Sequence, residues 1–162
     1  MKGVVFGSNG QVGRELVRLA PDFKHLTRGD VDLENPQSCA DFILSYEPEI
    51  VINAAAYTAV DAAEDNQSVA SKVNADAPAA MAWAANTVGA ALIHISTDYV
   101  FDGAGEAPWC ETDPTGPLGV YGATKLEGEE RVQSVGGRYA VIRTSWVFSQ
   151  HGSNFEDRRR PR

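Results

Sequence analysis

The sequence predicts an α/β domain built on a doubly wound parallel sheet, and three observations carry that prediction. Short apolar runs alternate with helical stretches four times, and a fifth apolar run follows, the strand–helix alternation of a parallel sheet. Ile50-Val51-Ile52 is wholly apolar, as a strand covered on both faces should be. A glycine-rich turn, Gly7-Ser8-Asn9-Gly10-Gln11-Val12-Gly13, joins the first apolar run to the first amphipathic one. The expected strand order is 3-2-1-4-5, with ligands at the carboxyl ends of the strands. A sixth strand belongs to that arrangement, and none is expected in this sequence.

The elements follow in order. Val4-Val5-Phe6 is the first strand, and Glu15-Leu16-Val17-Arg18-Leu19 lies in the first helix. Gly7 permits a sharp turn off the strand, Gly10 removes a side chain where a phosphate must approach, and Gly13 lets helix and strand pack closely. The helix then opens with amides that have no partner inside it, a ready site for phosphate. The spacing is G-x-x-G-x-x-G rather than G-x-G-x-x-G, and three glycines also occur as plain punctuation. Pro21 ends the helical pattern and Lys24-His25-Leu26-Thr27 reads as the second strand. Asn35-Pro36 is an N-cap with proline at the first helical position. Cys39, Phe42, Ile43 and Tyr46 share one helical face, and Pro48 ends that helix. After the third strand comes Asn53-Ala54-Ala55-Ala56, too small to block a ligand.

Residues 60–88 are alanine-rich and helical, with a kink or break expected at Pro78 and an end at Gly89. Leu92-Ile93-His94-Ile95 is the fourth strand, with His94 read as a core residue. Residues 102–119 hold four glycines and three prolines, and so long a connection points to a functional loop. Residues 121–135 form a helix closed by Gly136-Gly137, and residues 139–144 the fifth strand.

The 162 residues suffice for one domain with a core. A net charge of −8 argues against nonspecific nucleic-acid binding. No apolar run approaches a membrane span, and Met1-Lys2-Gly3 leads straight into the first strand with no signal-peptide pattern. Cys39 and Cys110 have neither metal-ligand nor redox spacing, and Cys39 reads as a small core residue. No metal site is expected, and the expected compartment is the cytoplasm.

Three groups of residues carry chemistry. Tyr121 and Lys125 stand four apart at a helix start and so share a face. A free tyrosine gives up its proton near pH 10, and a neighbouring ammonium should lower that value toward a useful range. Ser96-Thr97-Asp98-Tyr99 ends the fourth strand, where a hydroxyl can polarise a substrate carbonyl, although such a cluster also simply ends strands. Thr27-Arg28 follows the second strand, where an arginine suits a 2′-phosphate and an acid suits ribose hydroxyls. Arg28 therefore points to NADP, while Asp30 keeps NAD open.

Together these residues resemble the extended short-chain dehydrogenase/reductase family, most closely its dTDP-4-dehydrorhamnose reductase branch. The matching segments are Phe6-Gly7 through Val12-Gly13, Asn53-Ala54-Ala55-Ala56-Tyr57-Thr58-Ala59-Val60-Asp61, Ser96-Thr97-Asp98-Tyr99-Val100-Phe101, Tyr121 through Lys125, and Arg143-Thr144-Ser145-Trp146-Val147-Phe148. The resemblance implies an NAD(P)-binding Rossmann domain over residues 1–155. Gly10, Gln11 and Val12 would contact the cofactor pyrophosphate and Asp32 and Leu33 would lie near the adenine, with Gly7, Asn9 and Arg28 also expected to bind the cofactor. Ala55, Ala56 and Tyr57 would line it after the third strand. Thr97, Tyr121 and Lys125 take the catalytic positions, and Asp98 and Trp146 join Thr97 and Tyr121 on the substrate side. The implied reaction is hydride transfer from NADPH, with NADH open, to the C4 ketone of a dTDP-linked 4-keto-6-deoxy sugar.

The family continues past this length with a substrate lobe. Here the resemblance ends near Phe155, and residues 156–162 form an arginine-rich tail unlike the family, which reads as a truncation or frame change. Two alternatives stand beside the reductase. One is a noncatalytic NADP-binding regulatory subunit, which the Thr97–Tyr121–Lys125 set disfavours. The other is a sugar-nucleotide epimerase or dehydratase; Tyr99 stands where the related dehydratases carry a second acid, which disfavours dehydration. A homodimer is compatible with the resemblance, but the sequence does not set the oligomeric state.

Overall fold

The computed structural model describes residues 1–104 and 107–151. Five parallel strands form one sheet: β1 (Gly3–Phe6), β2 (Lys24–Leu26), β3 (Ile50–Asn53), β4 (Ala91–Thr97) and β5 (Arg138–Thr144). Their order is β2-β1-β3-β4-β5, which corrects the expected 3-2-1-4-5. Only β2 lies outside β1, because residues 27–35 form turns rather than another strand. The next crossover therefore returns across β1 and pairs β3 with it directly. Both orders belong to doubly wound sheets and share the same alternation, so hydrophobic pattern counts the strands without ordering them. The order reverses between β1 and β3, where Phe6 pairs with Asn53.

The helices are α1 (Gln11–Leu19), α2 (Pro36–Tyr46), α3 (Val60–Asp65), α4 (Gln67–Ser71), α5 (Ala77–Val88) and α6 (Val120–Val135). Asn35 caps α2 by position, without a side-chain bond, and Pro36 opens it. Cys39 and Ile43 are fully buried, and Phe42 and Tyr46 pack on the same core. The Phe42 ring meets Phe6 edge-on at 6.2 Å and stacks on Tyr46 at 5.5 Å. The residue before Pro48 cannot stay helical, and Glu47 swings to the left-handed region with φ 48°.

The alanine-rich segment breaks earlier than expected. Its interruptions are at Asn66 and in a π-helical turn, Lys72–Asp76, while Pro78 sits harmlessly in the first turn of α5. Buried Ala77, Met81, Ala82, Ala84 and Ala85 let α5 lie close against α2. β4 is longer than the apolar run suggested, so Ser96 and Thr97 belong to the sheet. Among the described residues β5 pairs on one side only, and its Tyr139 and Ile142 are exposed. No helix among the described residues is long and apolar enough to cross a membrane.

Candidate active site

Backbone geometry shapes the glycine turn. Gly7 has φ +85°, and a Cβ there would lie 2.7 Å from the Ala55 nitrogen, so the turn packs backbone to backbone on the loop after β3. A Cβ on Gly13 would run into the Gly7 carbonyl, which explains why α1 can sit so close. The Gly7 and Ser8 amides both donate to the Leu26 carbonyl at 3.0 Å, tying the turn to β2. Gly10 is the N-cap of α1 and supplies no side-chain cap. The first helical bond runs from Arg14 N–H to Gly10 at 2.9 Å, leaving the amides of Gln11, Val12 and Gly13 without partners inside the helix. The Gln11 side-chain oxygen is buried with no hydrogen-bond partner.

The start of α1 borders a cleft of about 660 Å³ along the carboxyl ends of the strands, within the ~300–1,000 Å³ typical of small-molecule sites. Its glycine end is lined by Gly7, Asn9, Gly10, Gln11 and Val12. Arg28, Asp32 and Leu33 border one side, and Ala55, Ala56 and Tyr57 form the wall after β3. Thr97, Asp98, Tyr121, Lys125 and Trp146 border the other end. The structure therefore gathers every expected site residue around one cleft. Asp30 is outside it: its carboxylate accepts from the Thr27 amide at 2.8 Å and hydroxyl at 2.7 Å, which also holds its acidity below the ordinary carboxylate value. That turn role leaves Asp30, the acid that kept NAD open, turned to Thr27 rather than to the cleft. Arg28 is held by Glu34 and lies 3.6 Å from Asp32.

Thr97 ends β4. Its hydroxyl donates to Asp98 Oδ1 at 3.2 Å and accepts from the Tyr99 amide at 3.3 Å. Ser145 Oγ donates to the other Asp98 oxygen at 2.6 Å. The ring of Tyr121, in the first turn of α6, meets Tyr99 edge-on at 5.5 Å. Burial pushes the Tyr121 phenol above its ordinary value, and hydrogen bonding with Thr97 pulls the other way. Lys125, one turn later, is buried; its Nζ donates to the Ile95 carbonyl at 2.7 Å and lies 3.3 Å from His94 Nε2. Burial lowers the Lys125 ammonium to about 8, against the opposing pull of Glu129. These facts correct the expectation that Lys125 lowers the Tyr121 phenol. The lysine head is bonded to β4, and burial dominates at the tyrosine.

Several supporting residues were not read from the sequence. Asn74, in the π turn, is buried; it accepts from the Tyr57 amide at 2.8 Å and donates to the Tyr57 carbonyl and Thr124. It thereby joins the β3 loop to α6. Glu129 is buried, accepts from Ser96 and takes three bonds from Nε and Nη2 of Arg143, joining α6 to β4 and β5. Their signal was polarity inside otherwise apolar faces, which periodicity counts as noise.

The family model described as RmlD substrate binding domain matches residues 1–159. The chain belongs to that family. Among the RmlD-family relatives, the dTDP-4-dehydrorhamnose reductase of Escherichia coli K12 is 47% identical over 162 aligned residues, which cover 96% of this chain and 54% of the relative. The crystal structure of a Clostridium acetobutylicum dTDP-4-dehydrorhamnose reductase aligns with TM-score 0.91 at 40% identity, over 98% of this chain and 57% of that one. A Bacillus anthracis dTDP-4-dehydrorhamnose reductase, solved in complex with NADP, aligns with TM-score 0.92 at 35% identity, over 97% and 57%. The chain spans about half the length of the relatives it matches.

Proposed function

We propose that this chain forms the cofactor-binding and proton-donating half of a dTDP-4-dehydrorhamnose reductase. The reaction is NADPH-dependent reduction of the C4 ketone of dTDP-4-dehydro-L-rhamnose to dTDP-L-rhamnose. One observation carries the reading: a single cleft has an uncapped helix N-terminus at one end and the Thr97–Tyr121–Lys125 set at the other. The names of the relatives, and the NADP held by the B. anthracis protein, point the same way. The domain is residues 1–155, and residues 156–162, the tail, lie outside the described residues. The setting is the cytoplasm, with a homodimer as the assembly to test.

The residues present fit a dinucleotide. The amides of Gln11 and Val12, without partners inside the helix, would donate to its pyrophosphate. Arg28 is the cation for a 2′-phosphate. When bound, NADPH supplies the hydride. Thr97 turns its hydroxyl from Asp98 to the substrate carbonyl oxygen, and the Asp98–Ser145 contact holds the turn that carries it. Tyr121, kept in its acid form by burial, gives its phenolic proton to that oxygen as negative charge develops. Lys125 supports the same end of the cleft from beneath.

The test is NADPH oxidation by the full chain with dTDP-4-dehydro-L-rhamnose present. Oxidation that depends on the sugar and yields dTDP-L-rhamnose supports the reading. NADPH binding without any sugar-dependent oxidation points instead to a noncatalytic NADP-binding subunit, and sugar conversion without net NADPH loss to an epimerase or dehydratase.

A further inference from the structure

Behind the cleft, a buried chain of polar groups links the β3 loop to Lys125. The Ala55 amide donates to Asn53 Oδ1 at 3.1 Å, so the Asn53 amide nitrogen is the atom that faces His94 Nδ1, at 3.1 Å. On the far side of the ring, His94 Nε2 lies 3.3 Å from Lys125 Nζ, which itself donates to the Ile95 carbonyl at 2.7 Å. Asn53, His94 and Lys125 are all at or below 1% exposure, so water cannot mend a mismatched bond.

The sense of each bond fixes the next. An amide nitrogen only donates, so His94 Nδ1 must accept and carries no proton. A neutral imidazole then holds its proton on Nε2. Burial first, and then the Lys125 charge whenever it is an ammonium, hold His94 well below its ordinary value, so the ring is neutral. An Nε2–H facing Lys125 needs an acceptor, and an ammonium has none, whereas a neutral amine has one lone pair. Every bond in the chain is matched only when Lys125 is an amine.

We propose that Asn53 and His94 are positioning residues that tie the charge of Lys125 to the Ala54–Ala56 wall of the cleft. Charging Lys125 reverses the chain: the Nε2 proton moves to Nζ, the incoming proton settles on Nδ1, and one proton is taken up in all. Nδ1–H then needs an acceptor, so the Asn53 amide rotates to offer Oδ1, and the Ala55 amide loses its partner. Ala55 and Lys125 border one cleft, so a ligand that favours the ammonium also loosens the wall beside it. This consequence rests on the reading of the cleft as a dinucleotide site; the chain of bonds does not.

Other charges around Lys125 are accounted for. On α6 they are Glu129, which is paired with Arg143 of β5, and Glu127, which pairs with Arg131. From the π turn come Asp76, paired with Arg131, and Lys72; from α3, Glu64 accepts from the Val120 amide. Asp98 and Tyr99, in the turn after β4, act on Tyr121, and α4 and α5 carry no charged side chain. None of them faces the His94 ring within hydrogen-bond reach in place of Asn53 or Lys125.

The experiment is nitrogen-15 NMR of the imidazoles of the full chain, without cofactor, across pH 6–10. His94 is assigned with the His25→Gln and His151→Gln variants, and Lys125 Nζ is followed in parallel. The expected result is Nε2–H above the Lys125 midpoint near 8, with a change to Nδ1–H as the pH falls through it. In Asn53→Asp a carboxylate accepts from both Ala55 and His94, so Nδ1–H persists at every pH and the Lys125 midpoint rises by ~1 unit or more. Wild-type His94 as Nδ1–H throughout, or a tautomer unchanged while Lys125 titrates, overturns the proposal. The wild-type titration decides even where Asn53→Asp does not fold, and it does not depend on NADPH or sugar turnover.

Discussion

Tyr121, Arg28 and Lys125 each make a separable demand on experiment. Phenylalanine at 121 keeps the ring against Tyr99 but carries no proton to give. Tyr121→Phe should lower sugar-dependent turnover by about 10²–10⁴-fold while NADPH binding survives; near-wild-type turnover would remove Tyr121 as the acid. Arg28 shares its guanidinium with Glu34 and Asp32, so the hold on a 2′-phosphate proposed for it would compete with an ion pair. Arg28→Ala should weaken NADP(H) about tenfold and leave NAD(H) unchanged, and Glu34→Gln should tighten NADP(H). Equal changes for both cofactors in paired titrations would show that Arg28 does not choose between them. Lys125 is a stability device with a defined sign. Its folded value, about 8, lies below the ordinary 10.5, so across that window the unfolded chain binds more protons and stability rises with pH. Urea unfolding of wild type against Lys125→Met should show the wild type gaining about 2 kcal/mol relative to the variant between pH 8 and 10. A flat difference would mean that burial does not penalise this ammonium.

Among the elements, the junction of β1, α1 and the β3 loop is the tightest. A methyl at position 13 meets the Gly7 carbonyl, so α1 must back away from the turn. Gly13→Ala should cost about 1–3 kcal/mol in unfolding free energy and weaken NADPH, because the amides of the α1 N-terminus move with the helix. Unchanged stability by urea titration would mean that the contact relaxes freely. The glycine turn was legible in the sequence because backbone crowding permits only glycine at positions 7 and 13, and a run of letters shows that. The strands and α6 were legible through apolar runs and the Gly119 and Gly136 boundaries. The strand order was not, because it depends on whether residues 27–35 make a strand, and two short acids, Asp30 and Asp32, turn them instead. The break near Pro78 was misplaced because proline is tolerated in a first helical turn. In the cleft, motif spacing found the residues at the rim, while Asn53, His94 and Asn74 act through contacts between distant segments. The direction of the Tyr121 shift was misread for the same reason: spacing put Lys125 nearby, but the β4 carbonyl takes its head.

At the scale of the whole molecule, β5 is a seven-residue strand with one described neighbour and exposed Tyr139 and Ile142. Such an edge is a template for pairing. Light scattering of the 162-residue chain should show mass rising with concentration, and Ile142→Lys should suppress the rise; a monomer at every concentration would show the edge to be inert. The proposed function makes the larger demand on the cleft, since one dinucleotide would have to reach from Gly10 to Lys125. The most direct measurement is an NMR titration of the full chain with NADPH, following the Gly10, Gln11 and Val12 amides together with the Tyr121 ring and Lys125 Nζ. Both groups should shift in one saturable transition at one equivalent. A transition that moves only one end, or leaves the Gly10–Val12 amides unmoved at saturation, contradicts a single cleft that binds the cofactor and carries the chemistry.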